Sequence, residues 1–363
     1  MKISSVRATT HRVPVRVPLI DKPIDREIVF VRVETDEGIT GFGMTSQILR
    51  FSVKEFVNRE LAPFLKGRDP LDTERLWNEM YTRFNQRGTS GVVQAGISAV
   101  DIAFWDAKGK FFNQPVWRLL GGYSAKVPAY ITFGLPDYDR DQLVEVARTL
   151  VREGQDKLKM VVAHHGAPDI PEDVERVRVT REAIGDDVEL MVDANQLLDY
   201  TSARELCRKI EPYNLRWFEE PIYANDVREL AELRRHTSIP ISAGQNEGHK
   251  YRHRDLIVGG AVDIVQPNVV YVGGYTEGRK VAHLAQAFSL PIANGGGWPH
   301  HNAHLHAAVW NGWRVEFHYV MWMVGDAIFQ NAPRPDKGWL TLSERPGLDL
   351  EPREDVLRDT EES

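Results

Sequence analysis

A chain of 363 residues, 42% hydrophobic and 27% charged, has the composition of an ordinary globular protein and exceeds the usual size of one compact domain. Its formal net charge of −7 argues against nucleic acid as a partner, because phosphate binding needs a basic face. No stretch approaches the roughly 18 uninterrupted apolar residues of a membrane span, and Cys207 is the only cysteine, which rules out an intrachain disulfide and fits a reducing cytoplasm.

The opening MKISSVRATTHRVPV lacks the apolar core of a secretory signal, so it is expected to belong to the fold. ISSVRATTHRVPV and EIVFVRVETDEGITGFGMT are β-branched runs, the second broken by the turn signal DEG. Helical patterns follow over SVKEFVNRELAPFLKG, PLDTERLWNEMYTRFN and SGVVQAGISAVDIAFWDAKGKFFNQ, the last with Val93, Ile97, Val100 and Phe104 at the spacing of a buried face. From about residue 126 short apolar strands alternate with amphipathic helices. The strands read as VPAYITFG, KLKMVVA, VELMVDAN, LRWFEEP, IPISAGQ, VDIVQPN, LPIANGGG and WRVEFHY. Such alternation predicts an α/β fold with a (β/α) barrel. The division expected is 1–125, 126–330 and 331–363, with the charged end REDVLRDTEES frayed.

Active groups of such barrels sit at the C-terminal ends of the strands. Lys157 and Lys159 lie two apart on one strand and so point the same way. Side by side, two ammonium groups lower each other's proton affinity, which makes a lysine usable as a general base. Asp193 and Glu219 end the next two strands and are hard oxygen ligands suited to Mg2+. Positions 193, 219 and 245 are equal steps of 26 residues, and the third is Gln245 rather than an acid. Gln245 could offer its carbonyl oxygen to a metal, or Glu247 could reach in to replace it. GGGWPHHNAHLHAAVWNG carries His300, His301, His304 and His306. A zinc-protease pairing of His300 and His304 lacks the glutamate that must follow the first histidine. At least two of the four are expected to be structural, and one of His300, His301 or His304 to supply a proton. His164 and His165 are weaker candidates for that task.

Taken jointly, these segments resemble the enolase superfamily in its mandelate racemase/muconate lactonizing enzyme branch, over nearly the whole chain. The resemblance lies in SGVVQAGISAVDIAFWDAKGKFFNQPVWRLLGG, KLK, VDAN, FEEP, VDIVQPNVVYVGGYTE and PGLDLEPREDV. It implies an N-terminal α+β capping domain over a (β/α)7β barrel, with the C-terminal segment returning to the cap. It also implies Mg2+, a small-molecule carboxylate substrate and a homo-oligomer. The shared chemistry would be removal of the proton α to a carboxylate through an enediolate intermediate. Carried over, Lys159 is the base and Lys157 its pKa-lowering neighbour. Asp193 and Glu219 hold the metal, Asn195 lies beside it, and Glu316 meets a substrate carboxylate oxygen if protonated.

The chain departs from that pattern at Gln245, at Asn268 on the sixth barrel strand, and on or near Gly296 on the seventh, so the usual His–Asp dyad is missing. A racemase or epimerase needs bases on both faces of the reacting carbon. A dehydratase needs one base and an acid for the leaving hydroxyl, so a Mg2+-dependent dehydratase (a lyase) of a sugar acid is the expectation. Racemase, epimerase or cycloisomerase activity is the alternative, and a non-catalytic sugar-acid-binding relative the second. Specificity is expected to depend on residues 17–28, where Lys22 or Arg26 could meet a distal carboxylate, and on MTSQILR.

Overall fold

A computed structural model of the chain describes residues 1–46, 49–84, 90–163 and 168–362. Strands β1 (Ile3–Val15), β2 (Ile24–Thr35) and β3 (Thr40–Ser46) form an antiparallel sheet. Alternation along β2 gives its two faces different partners. Ile28 and Phe30 join the apolar cluster shared with the barrel, whereas Val29, Val31 and Val33 pack against the helices of the N-terminal unit. The helix Val92–Phe111 crosses β3 at very short range. Gly41 and Gly43 allow this, since a Cβ at either would lie 2.0 Å from a backbone oxygen of that helix. Heptad-like spacing marks one buried face on this helix, yet nearly every side is buried, Asp101 and Asp106 included. The extra burial comes from the sheet and barrel helices that surround it.

Eight parallel strands form the barrel: β4 (Lys126–Gly134), β5 (Lys157–Val161), β6 (Glu189–Asp193), β7 (Leu215–Glu219), β8 (Ile241–Ala243), β9 (Ile264–Val265), β10 (Ile292–Ala293) and β11 (Gly312–His318). Pairing of β11 with β4 closes the cylinder. The ladder aligns Val161 with Asp193 and Asp193 with Glu219, so the two acids end their strands at one level. β12 (Trp339–Thr341) adds antiparallel to the start of β4. The tail is not frayed as its composition led us to expect. Glu354–Thr360 is helical and β13 (Glu361–Glu362) pairs with β1. Glu362 takes the guanidinium groups of Arg12 and Arg50 at 3.0 and 2.7 Å, which anchors the end. Among the described residues no helix is long and apolar enough to cross a membrane.

The N-terminal unit is fastened to the barrel at the Gly273–Gly274 turn. Trp77 Nε1 donates to the Gly273 carbonyl at 2.7 Å, the Gly273 amide donates to Ser98 Oγ at 2.9 Å, and Thr276 N donates to Asp101 Oδ2 at 2.9 Å. Gly274 has φ +75°, and a Cβ there would lie 2.3 Å from Asp101 Oδ2, so the double glycine is what lets the two units meet. A second fastening surrounds the fully buried Glu277. His249 Nδ1 lies 3.0 Å from its carboxylate, Lys250 Nζ 3.1 Å and Lys280 Nζ 3.3 Å, with the rings of Trp77 and Tyr81 packed on His249.

Candidate active site

Lys159 projects from the middle of β5 into the closed barrel and is fully buried. Its ammonium lies 2.5 Å from Glu219, 2.8 Å from Glu316 and 3.3 Å from Asp193, with the Tyr130 ring 5.3 Å away. Burial alone would lower its proton affinity, but the negative charge of Glu219 and Glu316 outweighs it and raises the pKa well above the ordinary lysine value. This corrects the expectation of a lysine pair. Two residues along a strand is roughly 7 Å of rise, which puts Lys157 towards the opposite end of the barrel. Its ammonium meets Asp156 at 2.5 Å there and faces the Trp339 ring, so it does not lower the proton affinity of Lys159.

The acids are held by donors from neighbouring strands. Trp217 Nε1 donates to Glu219 Oε2 at 3.0 Å, and the Asn195 amide donates to Asp193 Oδ1 at 2.8 Å. Asn195 itself is exposed at the mouth, so its backbone rather than its side chain serves Asp193. Glu316 accepts from Thr132 Oγ1 and from the Gly297 amide as well as facing Lys159. Burial would raise its pKa, but the Lys159 charge prevails and lowers it. Glu316 thus stands as an acceptor beside Lys159, and its expected contact with a substrate carboxylate oxygen would need it protonated, which that neighbour opposes.

The question left open at position 245 has a geometric answer. Glu220 accepts four hydrogen bonds: from Asn225 Nδ2 at 2.9 Å, the Gly244 amide at 3.2 Å, Gln196 Nε2 at 2.9 Å and Gln245 Nε2 at 3.0 Å. With its NH2 committed to Glu220, Gln245 turns its carbonyl oxygen towards Glu219. A Cβ added to Gly295 would lie 2.7 Å from that oxygen and 2.5 Å from Glu219 Oε1, so the two oxygens flank one point. Glu247 points elsewhere: Arg252 Nε donates to it at 3.0 Å and Asn225 Nδ2 at 3.3 Å. The structure thus brings Gln245, and not Glu247, to the acids.

Among the described residues no three His, Cys, Asp or Glu side chains converge as a metal cage. Two carboxylates and an amide carbonyl nevertheless make a hard, all-oxygen donor set of the kind Mg2+ takes. Gln266 stands beside them, close to the same Gly295 point, with both its amide atoms buried and unpartnered. The set fits the ion.

Asn268 is occupied as a loop clamp. It donates to the Gly295 carbonyl at 2.8 Å and accepts from Val270 N at 3.2 Å and Asn302 Nδ2 at 2.9 Å. It therefore does not present a substrate contact. The histidines are a plainer correction. They lie on the helix Pro299–Ala308 and pack outside the barrel. His300 abuts Phe317 and Phe329, His301 abuts Phe329, and His304 Nε2 meets the Leu348 carbonyl at 3.2 Å. Burial drives His300 and His301 down to about 3 and His304 to about 4, so all three are neutral structural groups. His164 and His165 lie outside the described residues.

One histidine does face the acids, and sequence reasoning missed it. His318 ends β11, two residues beyond Glu316 and hence on the same inward face. Its Nδ1 is buried without a partner. Burial lowers its pKa to about 4; Glu316 acts in the opposite sense, and the charges of Arg26 and Lys159 deepen the fall. The same alternation that revealed the lysines would have found His318 beyond Glu316 and Trp217 before Glu219.

Residues 2–121 match the mandelate racemase/muconate lactonizing enzyme N-terminal domain family, and residues 142–356 match the enolase C-terminal domain-like family. The chain is 35% identical over 303 residues to a 3,6-anhydro-α-L-galactonate cycloisomerase from Streptomyces coelicolor, covering 81% of this chain and 82% of that one. It is 32% identical over 345 residues to an arabinonate dehydratase from Saccharolobus solfataricus, covering 92% and 90% respectively. A crystallised racemase from Streptomyces coelicolor with bound magnesium superposes with a TM-score of 0.91 at 31% identity, over 99% of this chain and 100% of that one.

Proposed function

This chain belongs to the mandelate racemase/muconate lactonizing enzyme family of the enolase superfamily, and within it we propose a Mg2+-dependent dehydratase of a sugar acid. The observation that carries this reading is that, among the described residues, the wall contributed by β10 supplies no base to match Lys159. Lys159 stands on one side of the acids, and the wall contributed by β10 continues into Gly295 and Gly296, without a basic side chain. A side chain at Gly295 would collide with Glu219 and Gln245, so this wall has no room for a second base. The arabinonate dehydratase relative and the magnesium-bearing neighbour support the substrate class and the metal.

In this reading Asp193, Glu219 and Gln245 would hold Mg2+, which would supply positive charge beside the substrate carboxylate. Lys159, once it has given up the proton that its neighbouring acids hold on it in the unliganded site, takes the α-proton, and Trp217 keeps Glu219 oriented. His318 gives a proton to the departing hydroxyl. Its affinity for that proton recovers when Lys159 is neutral, because one of the charges that oppose it is then gone. His318→Asn is expected to lower kcat by about 100-fold or more with little change in KM, as loss of a general acid does. A fall in KM affinity with kcat preserved would remove His318 from this role. Placement in the cytoplasm and assembly as a homo-oligomer belong to the same proposal, the former supported by the single, buried Cys207.

Gln245→Glu adds a charge to the donor set and is expected to tighten Mg2+ binding, read by calorimetric titration, whereas Glu247→Gln changes it little. The reverse ranking would return the third ligand to Glu247. An isomerase is the second reading, favoured by the cycloisomerase relative. Incubation with sugar acids in D2O separates the two: a dehydratase yields a 2-keto product, and an epimerase a deuterated isomer.

A further inference from the structure

The N-terminal end of the barrel, opposite the acids, carries a cavity of about 630 Å3, within the range of small-ligand sites. It opens where β4, β7 and β11 begin and where β12 adds on, with Tyr123, Trp310, Trp313 and Trp339 in its walls. Barrels of this kind do their chemistry at the other end, so the cavity has no part in the site around Lys159. Its rings are left open to solvent: Tyr123 is 64% exposed, Trp310 60% and Trp339 40%. Large aromatic side chains are mostly buried in folded proteins, and exposed ones gathered round a hollow mark a place where something binds.

Cations stand over two of these rings. Lys126 Nζ lies 4.8 Å and Lys157 Nζ 5.9 Å from the Trp339 ring, and the Arg216 and Arg314 guanidinium groups lie 4.8 and 4.3 Å from the Trp313 ring. Asp156 takes Lys157 at 2.5 Å, and Glu189 is shared by Arg314 at 2.6 Å and Arg216 at 3.5 Å. Asp263, also in the wall, is held by Arg234 at 2.6 Å. That leaves Lys126 without an acid partner among the described residues. A chain of net charge −7 thus keeps a locally positive hollow, which suits an anionic occupant. A second copy related by a twofold axis would bring Lys126 and Arg216 against the same charges, which repel.

One buried acceptor points to the chemistry of the occupant. His306 lines the cavity from the helix Pro299–Ala308 and is itself fully buried. Its Nδ1 donates to the Asn302 carbonyl at 3.0 Å, so that nitrogen carries the hydrogen. Burial keeps the ring neutral by lowering its pKa to about 4, which leaves Nε2 a bare acceptor without a partner. Such an acceptor calls for a donor, and a hydroxyl group supplies one.

We propose that this hollow binds an acidic oligosaccharide, a run of pyranose rings carrying carboxylates, at a site separate from the reacting centre. The C–H faces of the rings stack on Trp310 and Trp339, a hydroxyl gives His306 its donor, and carboxylates face Lys126 and Arg216. The inference does not depend on the dehydratase reading.

The test titrates trigalacturonate, and maltotriose as its neutral counterpart, into the full chain, read by calorimetry and tryptophan fluorescence. The wild type is expected to bind trigalacturonate more tightly than maltotriose. Trp310→Ala should weaken trigalacturonate binding by about tenfold, the contribution of one stacked ring. Lys126→Gln should weaken it by about threefold and leave maltotriose unchanged. Lys159→Met should bind as the wild type does, which separates this hollow from the site around the acids. Trp310 is 60% exposed, so Trp310→Ala should unfold as the wild type does, which separates lost binding from a folding defect. No binding by the wild type, equal affinity for the two trisaccharides, unchanged affinity in Trp310→Ala, or loss of binding in Lys159→Met overturns the assignment. A lower sedimenting mass for Trp310→Ala would also overturn it, by making this face a contact between copies.

Discussion

Lys159→Met is expected to abolish exchange of the substrate α-proton. With Lys159 as the base, loss should be roughly four orders of magnitude, the upper range for a single general base. The readout is deuterium incorporation in D2O with Mg2+ present, followed by NMR. Residual exchange within tenfold of the wild type would end the base assignment. The substitution also removes the cation that Asp193, Glu219 and Glu316 share at 3.3, 2.5 and 2.8 Å. Leaving buried carboxylates without a counter-charge destabilises by on the order of 3 kcal/mol unless they take up protons or a cation. Unfolding measured without and with Mg2+ should therefore show a larger stabilisation by the ion in Lys159→Met than in the wild type. Active-site chemistry and local stability are coupled through one ammonium group.

Glu277→Gln should give the largest stability loss outside the site. Burial would raise the Glu277 carboxyl, but the hydrogen bond and charge of His249, with help from Lys250 and Lys280, bring it from 4.5 down to about 2. A depressed acid contributes stability above its unfolded pKa and loses it as pH falls through its folded one. The contribution is thus complete above about 4.5 and gone below about 2. A shift of that size corresponds to on the order of 3 kcal/mol. Denaturant unfolding of wild type and variant should differ by that order at pH 7, with the gap closing as pH falls through this window. A gap that does not change between pH 7 and pH 3 would mean that Glu277 acts by packing rather than by its charge.

The barrel was legible because its strands are short apolar runs whose ends fall at a regular interval. That interval also exposed Asp193, Glu219 and position 245. Depth inside the barrel was not legible. Alternation puts Lys157 and Lys159 on one face but does not say that two residues of rise carry one of them to Asp156 and Trp339 at the other end. Nor does the spacing of four histidines say which side of their helix meets the barrel. His300, His301 and His304 turned out to pack against Phe317, Phe329 and the Leu348 carbonyl. The orientation of Gln245 depends on Glu220, whose four donors come from segments distant in sequence.

The pairing of β13 with β1 has a consequence for how the molecule comes into being. Arg12 and Glu362 are 350 positions apart, so β1 is completed only by residues made some 350 positions after it. During synthesis β1 must wait with one edge bare and the barrel-facing side of its sheet uncovered, which is the state most open to misassociation. Contacts of such long sequence separation also slow folding. The N-terminal unit is consequently a poor candidate for expression by itself. A fusion partner that holds residues 361–362 away from β1 would be expected to lower the yield of folded protein rather than the activity of each folded molecule.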